Sequence, residues 1–149
     1  MSWTVGRGQD GGDTVVVMID DEFRNVAQRG KRDTRVSVRF LGSYMLMTAA
    51  NRNAFEKQLV PALQAHGGVL VAGITRTNPV SYTFLGYCIE DIEPAAIPVD
   101  DALRSSCTVS VYHDPQWTEY ESWLPEEPSG VNRIAVTLRS LLYKLYIRR

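Results

Sequence analysis

The segment 34–41 constrains the fold of this 149-residue chain more than any other. Its side chains alternate between two kinds, apolar at Val36, Val38 and Phe40 and polar at Arg35, Ser37 and Arg39. Successive side chains of a β-strand point to opposite faces, so this period of two predicts a strand with one buried and one solvated face. Such a strand needs neighbouring strands and a second layer over its apolar face, and the chain must therefore build a sheet.

The segments that follow supply the rest of that sheet and its cover. Residues 53–66 have apolar side chains at helical spacing, with Asn53 as the expected cap and Pro61 as the expected site of a kink or break. Further elements are predicted by composition and by turn residues: strands at 69–75, 80–88 and 107–112, and a short helix at 99–105. Over 34–112 the order is strand–helix–strand–strand–helix–strand. It predicts an α+β domain of the ferredoxin-like type (split βαβ, βαββαβ), a four-stranded antiparallel sheet with two helices on one face.

Both ends of the chain are predicted to add to this core within a single domain over 1–149. Residues 1–20 have the pattern of an N-terminal β-hairpin. Residues 113–149 are predicted to be a C-terminal helical segment, since apolar side chains recur at helical spacing from Val131 to Leu145. That amphipathic helix either docks on its own domain or forms the seam of a homodimer.

Charge is segregated along the chain, although the net charge is only −1. Residues 89–127 carry ten acidic groups and one basic group, whereas residues 128–149 carry five basic groups and no acidic ones. The acidic middle either lies near the basic tail or forms a face that repels nucleic acid and attracts a basic partner. The strand at 34–41 is basic on its wet face, but the glycine-aromatic motif of RNA-recognition domains is missing, so nucleic acid is an unfavoured partner.

The chain has few cysteine and histidine residues, which are common nucleophiles and metal ligands. Cys88 and Cys107 lie in apolar, strand-like segments, which favours buried free thiols over a disulfide or a nucleophile. The two histidines, His66 and His113, have none of the spacings of zinc sites, and no segment fits a phosphate-binding glycine loop. We therefore predict no catalytic residue, no cofactor and no metal, and we favour a protein that is not an enzyme.

No segment marks the chain for export or for a membrane. Residues 1–10 lack the apolar core of a signal peptide, and every apolar run is far too short to span a bilayer. A cytoplasmic location is the default expectation.

The segment 113–125 concentrates aromatic and acidic residues and is the main functional candidate. Pro115 suits the first turn of a helix, on which Trp117, Tyr120 and Glu121 share one face. Trp and Tyr are enriched at binding hot spots, so an acidic rim around these two rings predicts a surface for a protein partner. The alternative is that the helix packs both rings onto the sheet. The candidate binding residues are Trp117, Tyr120, Glu121 and His113.

The same segment carries the pattern Asp-x-x-Trp-x-x-Tyr-x-x-aromatic-Leu, followed by Pro-Ser. Its members are Asp114, Trp117, Tyr120, Trp123, Leu124, Pro128 and Ser129. On these residues the chain resembles a bacterial family known only as domain of unknown function number six hundred ninety-five. The resemblance extends loosely over most of the chain, and it departs from the family at 125–127, where a shorter link is expected.

The resemblance implies no site residues, because that family has no established activity. At the level of fold the family is similar to bacterial regulators of ribonuclease E activity, which bind and inhibit rather than catalyse. We expect a bacterial, cytoplasmic, non-enzymatic module that binds and regulates a protein partner. Two alternatives stay open: a small-ligand domain or enzyme with a pocket near 113–125, and an RNA-binding domain.

Overall fold

The structure, a computed structural model, describes residues 3–10, 12–42 and 48–124. Its strands are β1 (Trp3–Asp10), β2 (Asp13–Asp20), β3 (Thr34–Leu41), β4 (Val69–Thr77), β5 (Val80–Cys88) and β6 (Cys107–His113). Its α-helices are α1 (Ala49–Gln64), α2 (Asp101–Arg104) and α3 (Thr118–Trp123). Three short 3-10 helices lie at Asp21–Arg24, Val26–Gln28 and Pro94–Ala96.

All six strands belong to one antiparallel sheet, in the order β1-β2-β4-β5-β3-β6. The hairpin of β1 and β2 joins this sheet through β2, which pairs with β4. Strand β3 has the bounds that its alternation predicts and lies between β5 and β6. Its register places Arg39 between Thr83 and Thr108, and Arg35 between Tyr87 and Tyr112.

The prediction of a ferredoxin-like domain is wrong. The sheet has six strands instead of four, because β2 carries buried Val15, Val17 and Ile19 and pairs along the edge of β4. The helix predicted at 99–105 is reduced to the single turn of α2, which has no buried side chain to anchor a longer helix. Within the described ranges α1 is the only long helix, so the structure is mainly β with one helix on a large sheet.

Helix α1 covers one face of the sheet. It begins at Ala49 rather than Asn53, because the Thr48 side chain accepts a hydrogen bond from the backbone N–H of Asn51 and caps it. The helix contains Pro61 and ends at Gln64. The apolar core on this face comprises Val36, Val38, Phe40, Phe55, Leu59, Leu63, Tyr82, Phe84, Cys88, Ile92, Ile97 and Val99.

A second apolar core lies on the opposite face, over β2, β4 and β5. It is covered by the 3-10 segment at 21–28, which contributes Phe23, and by α3 with the turn before it. Its members are Val15, Val17, Ile19, Phe23, Val71, Ala72, Ile74, Leu85, Tyr87, Trp117 and Tyr120. This cover leaves the β3 and β6 part of that face lined by polar side chains.

Residues 125–149 lie outside the described part of the chain. The predicted C-terminal helix, the homodimer seam and the Pro-Ser end of the family pattern all fall there. No helix in the described part is both long and apolar enough to cross a membrane.

Candidate functional site

Trp117 and Tyr120 are core residues in this structure. Only 1% of Trp117 and 0% of Tyr120 is exposed. The Trp117 ring stacks on Tyr87 with centroids 4.0 Å apart and planes at 10°, and it meets Phe23 and Tyr120 at 5.5 and 5.3 Å. The Tyr120 hydroxyl donates a 2.6 Å hydrogen bond to the carbonyl of Asp20. Both rings are enclosed by their own fold, as the packing alternative describes, and present no surface to a partner.

The helix that carries them begins later than the sequence predicts. Pro115 is not its first residue, because Trp117 adopts a left-handed backbone with φ of 56° and the helix starts at Thr118. A non-glycine residue holds this conformation only where its surroundings fix it. Here the indole N–H donates a 2.6 Å hydrogen bond to the carbonyl of Arg32, and the ring is locked on Tyr87.

Asp114 organises the start of this helix. Its carboxylate accepts hydrogen bonds from the Tyr87 hydroxyl at 2.7 Å and from the backbone N–H groups of Thr118 and Glu119 at 2.9 and 3.2 Å. Burial alone would raise the pKa of Asp114, but these donors together hold it below its ordinary value. The Tyr87 hydroxyl also accepts a hydrogen bond from the Tyr120 backbone N–H. Burial, together with the bond to Asp114, raises the pKa of Tyr87 far above its ordinary range.

Glu121 and His113 do not belong to one site. Glu121 forms an ion pair with Arg29, a buried guanidinium that lies over the Trp117 and Tyr120 rings at 5.0 and 5.3 Å. Its carboxylate therefore neutralises a core cation. His113 is exposed at the end of β6, opposite Thr34. In the described ranges no group of three or more His, Cys, Asp and Glu side chains could hold a metal ion.

A basic groove lies beside α3, on the polar part of the sheet face opposite α1. We call it the arginine groove; its volume is about 300 Å³. Its side chains come from β3, β4, β5, β6 and α3, so only the folded sheet assembles it. Its polar and aromatic lining residues are Arg35, Ser37, Arg39, Arg76, Thr83, Thr108, Ser110, Tyr112, Glu119 and Trp123.

The three arginines of the groove are held differently. Arg35 is fixed by carboxylates of the α3 region, 3.8 Å from Asp114 and 3.6 Å from Glu119. The Arg76 guanidinium lies 5.4 Å from the centre of the Trp123 ring. Arg35 and Arg39 each have a buried Nε without a hydrogen-bond partner among the described residues, but Arg39, unlike Arg35, forms no ion pair with any of them. Of these two arginines, Arg39 therefore has the greater unused binding capacity.

Three residues of this groove are placed together by the sequence alone. The alternation of β3 predicts that Arg35, Ser37 and Arg39 share a wet face, and the structure places them so. It gives no sign that Arg76 and Tyr112 join them, because these residues belong to different strands. Only the strand order β4-β5-β3-β6 brings these side chains of β4, β3 and β6 to one surface.

Comparisons with known proteins leave the chain without a match: no family model, no curated protein and no solved structure corresponds to it. The resemblance to the bacterial family therefore stays a prediction.

Proposed function

We propose that this protein acts by binding, and that its ligand is a compact anion held in the arginine groove. The observation that carries the proposal is Arg39, which lies in the groove with a buried Nε that no described residue satisfies. A buried donor without a partner is costly, and a carboxylate or phosphate oxygen would supply the missing acceptor.

The chemistry of the other lining residues supports an anionic ligand. Guanidinium groups bind carboxylates and phosphates through paired, charge-assisted hydrogen bonds. Three of them line the groove, and the two carboxylates beside them, those of Asp114 and Glu119, both lie near Arg35, so the groove is locally cationic in a chain of net charge −1. Serine and threonine hydroxyls from β3, β5 and β6 add donors that rotate to suit an oxyanion.

Size favours a small molecule over a polymer. A volume of about 300 Å³ is at the lower end of the range for small-ligand pockets. A nucleic acid would need a basic surface that extends along several phosphates, whereas the groove residues of β6 and α3 belong to the segment 89–127, which is strongly acidic in sequence. This proposal corresponds to the sequence-based alternative of a small-ligand domain with a pocket near 113–125, since Glu119 and Trp123 line the groove.

Binding of a protein partner through Trp117 and Tyr120 has less support. Both rings would have to leave the core before they touched anything outside the chain. Each has large apolar and stacking contacts within the second core, so such a movement would unfold that face of the sheet.

The test is calorimetric titration with inorganic phosphate and with citrate, using the wild-type chain and Arg39→Gln. We expect saturable binding by the wild type and a loss of roughly 10- to 150-fold in affinity for the variant, since a hydrogen bond to a charged group contributes about 1.5–3 kcal/mol. The matched control is Arg104→Gln, an exposed arginine of α2 outside the groove, which should bind like the wild type.

Three results would overturn the proposal. One is the absence of binding of either anion. Another is equal affinity of the wild type and Arg39→Gln. The third is binding of single-stranded RNA, with a steep dependence on salt, by a chain that takes up no small anion.

A further inference from the structure

Tyr112 gives the arginine groove a second kind of binding surface. It lies on β6 opposite Arg35, whose guanidinium carbon is 4.8 Å from the centre of the tyrosine ring. Even with this contact 54% of Tyr112 is exposed. An exposed aromatic ring beside an arginine is an arrangement on which planar ligand rings stack.

The other aromatic side chain of the groove is less exposed. Trp123 is half-buried, its indole N–H donates a 3.0 Å hydrogen bond to Glu119, and Arg76 lies over its ring. Of the two aromatic residues that line the groove, Tyr112 is therefore the one with room for a ring.

The spacing along β3 separates the Tyr112 ring from Arg39. Arg35 and Arg39 are four residues apart on one strand and face the same side of the sheet, so their Cα atoms are roughly 13 Å apart. Tyr112 is the neighbour of Arg35, whereas Arg39 lies at the other end. The hydroxyls of Ser37 and Ser110, two residues that are opposite each other in the register of β3 and β6, lie between them.

We infer that the ligand joins a planar aromatic ring to an oxyanion through a short polar linker. In this arrangement the ring stacks on Tyr112, the linker crosses the Ser37 and Ser110 hydroxyls, and the oxyanion reaches Arg39. The inference rests on the proposed function, because it takes the arginine groove as the anion site. Nucleoside monophosphates are a chemical class with this plan, and they provide probes that differ by one part at a time.

The test compares adenosine monophosphate with ribose 5-phosphate, which lacks only the base, by calorimetric titration of the full chain. Stacking of one base on an aromatic side chain should make the complete nucleotide bind roughly 5- to 150-fold more tightly. Tyr112→Leu should bring the nucleotide down to the affinity of ribose 5-phosphate and leave ribose 5-phosphate itself unchanged. Tyr112→Phe keeps the π-face and should behave like the wild type.

The outcomes separate this inference from the proposed function. Equal affinity for the two probes, or nucleotide binding that Tyr112→Leu does not weaken, would overturn the ring subsite and leave the anion site intact. No binding of either phosphate-containing probe would overturn both. Tight binding of adenosine that the phosphate does not improve would also overturn the inference, since the oxyanion would then have no place at Arg39.

Discussion

The ring of Trp117 lies parallel to the ring of Tyr87, with centroids 4.0 Å apart and an angle of 10° between their planes. Tyr87 belongs to the sheet, whereas Trp117 ends the turn that leads into α3. The stack therefore joins the last described helix to the centre of the fold. Stacking of this kind adds to the burial of two large apolar surfaces, so this contact should be among the most stabilising in the molecule.

Trp117→Ala should lower the free energy of unfolding by about 3–5 kcal/mol, because it leaves a large cavity between Tyr87 and Phe23. Urea denaturation followed by circular dichroism measures the change. Val26→Ala is the control, since that side chain is 68% exposed, and it should stay within about 0.5 kcal/mol of the wild type. A Trp117→Ala variant as stable as this control would contradict the burial of the indole.

Acid should destabilise the protein through Asp114. The pKa of this carboxylate is lower in the folded chain than in the unfolded chain, so its ionised form stabilises the fold at higher pH. That contribution is lost as the pH falls below the unfolded value of about 3.9 towards the folded one. Asp114→Asn should be less stable than the wild type near neutral pH, and its stability should fall less on acidification.

Urea titrations at a series of pH values test this expectation. Asp100→Asn is the matched control, because Asp100 is exposed and its side chain makes no capping hydrogen bond. If Asp114→Asn and the wild type lose stability in parallel as the pH falls, Asp114 is not the group responsible.

Gly73 leaves space for the ring of Tyr82. A Cβ atom at this position would lie 2.1 Å from the Tyr82 hydroxyl oxygen and 2.9 Å from Cζ, and the tyrosine is buried in the core under α1. Gly73→Ala should therefore cost about 1–3 kcal/mol through overpacking. Gly8→Ala on β1 is the control, since nothing lies within 4 Å of its Cβ position. Thermal denaturation of both variants tests this prediction. Equal melting temperatures of the two variants would refute the close approach of Gly73 and the Tyr82 ring.

The Cys88 thiol should be unreactive towards alkylating reagents in the native state. It is fully buried against α1, and burial raises the pKa of its thiol to about 11. Because the thiolate is the reactive form, iodoacetamide at about pH 8 should label Cys88 only after denaturation. Peptide mass spectrometry with and without urea distinguishes Cys88 from the half-buried Cys107. Rapid labelling of Cys88 in the absence of urea would contradict this account.

The elements that the sequence predicts well are those whose signal is local. The alternation of 34–41 defines β3 to the residue, and the β-branched and aromatic run at 80–88 matches β5. The start of α1 was missed because Asn53 has the residue type of a cap, whereas Thr48, five positions earlier, makes the hydrogen bond. The place where the N-terminal hairpin joins the sheet has no local signal, because pairing of β2 with β4 joins residues more than fifty positions apart.

The same limit applies to the candidate site. The Trp117 and Tyr120 spacing is equally compatible with an exposed and a buried helix face, and the left-handed backbone of Trp117 depends on contacts with Tyr87 and Arg32. The arginine groove needs Arg39 and Tyr112 on one surface, which the pattern along the chain alone does not reveal.

One hydrogen bond has a consequence for synthesis on the ribosome. The Tyr120 hydroxyl donates to the carbonyl of Asp20, 100 residues earlier, under the cover that α3 provides for Val15, Val17 and Ile19. The N-terminal hairpin emerges first, yet its apolar face is covered only by the 3-10 segment at 21–28 until residue 120 has left the exit tunnel. Nascent chains that stop short of α3 should therefore expose an apolar β-strand that is prone to aggregation. Chaperones should bind these incomplete chains in preference to the full-length chain.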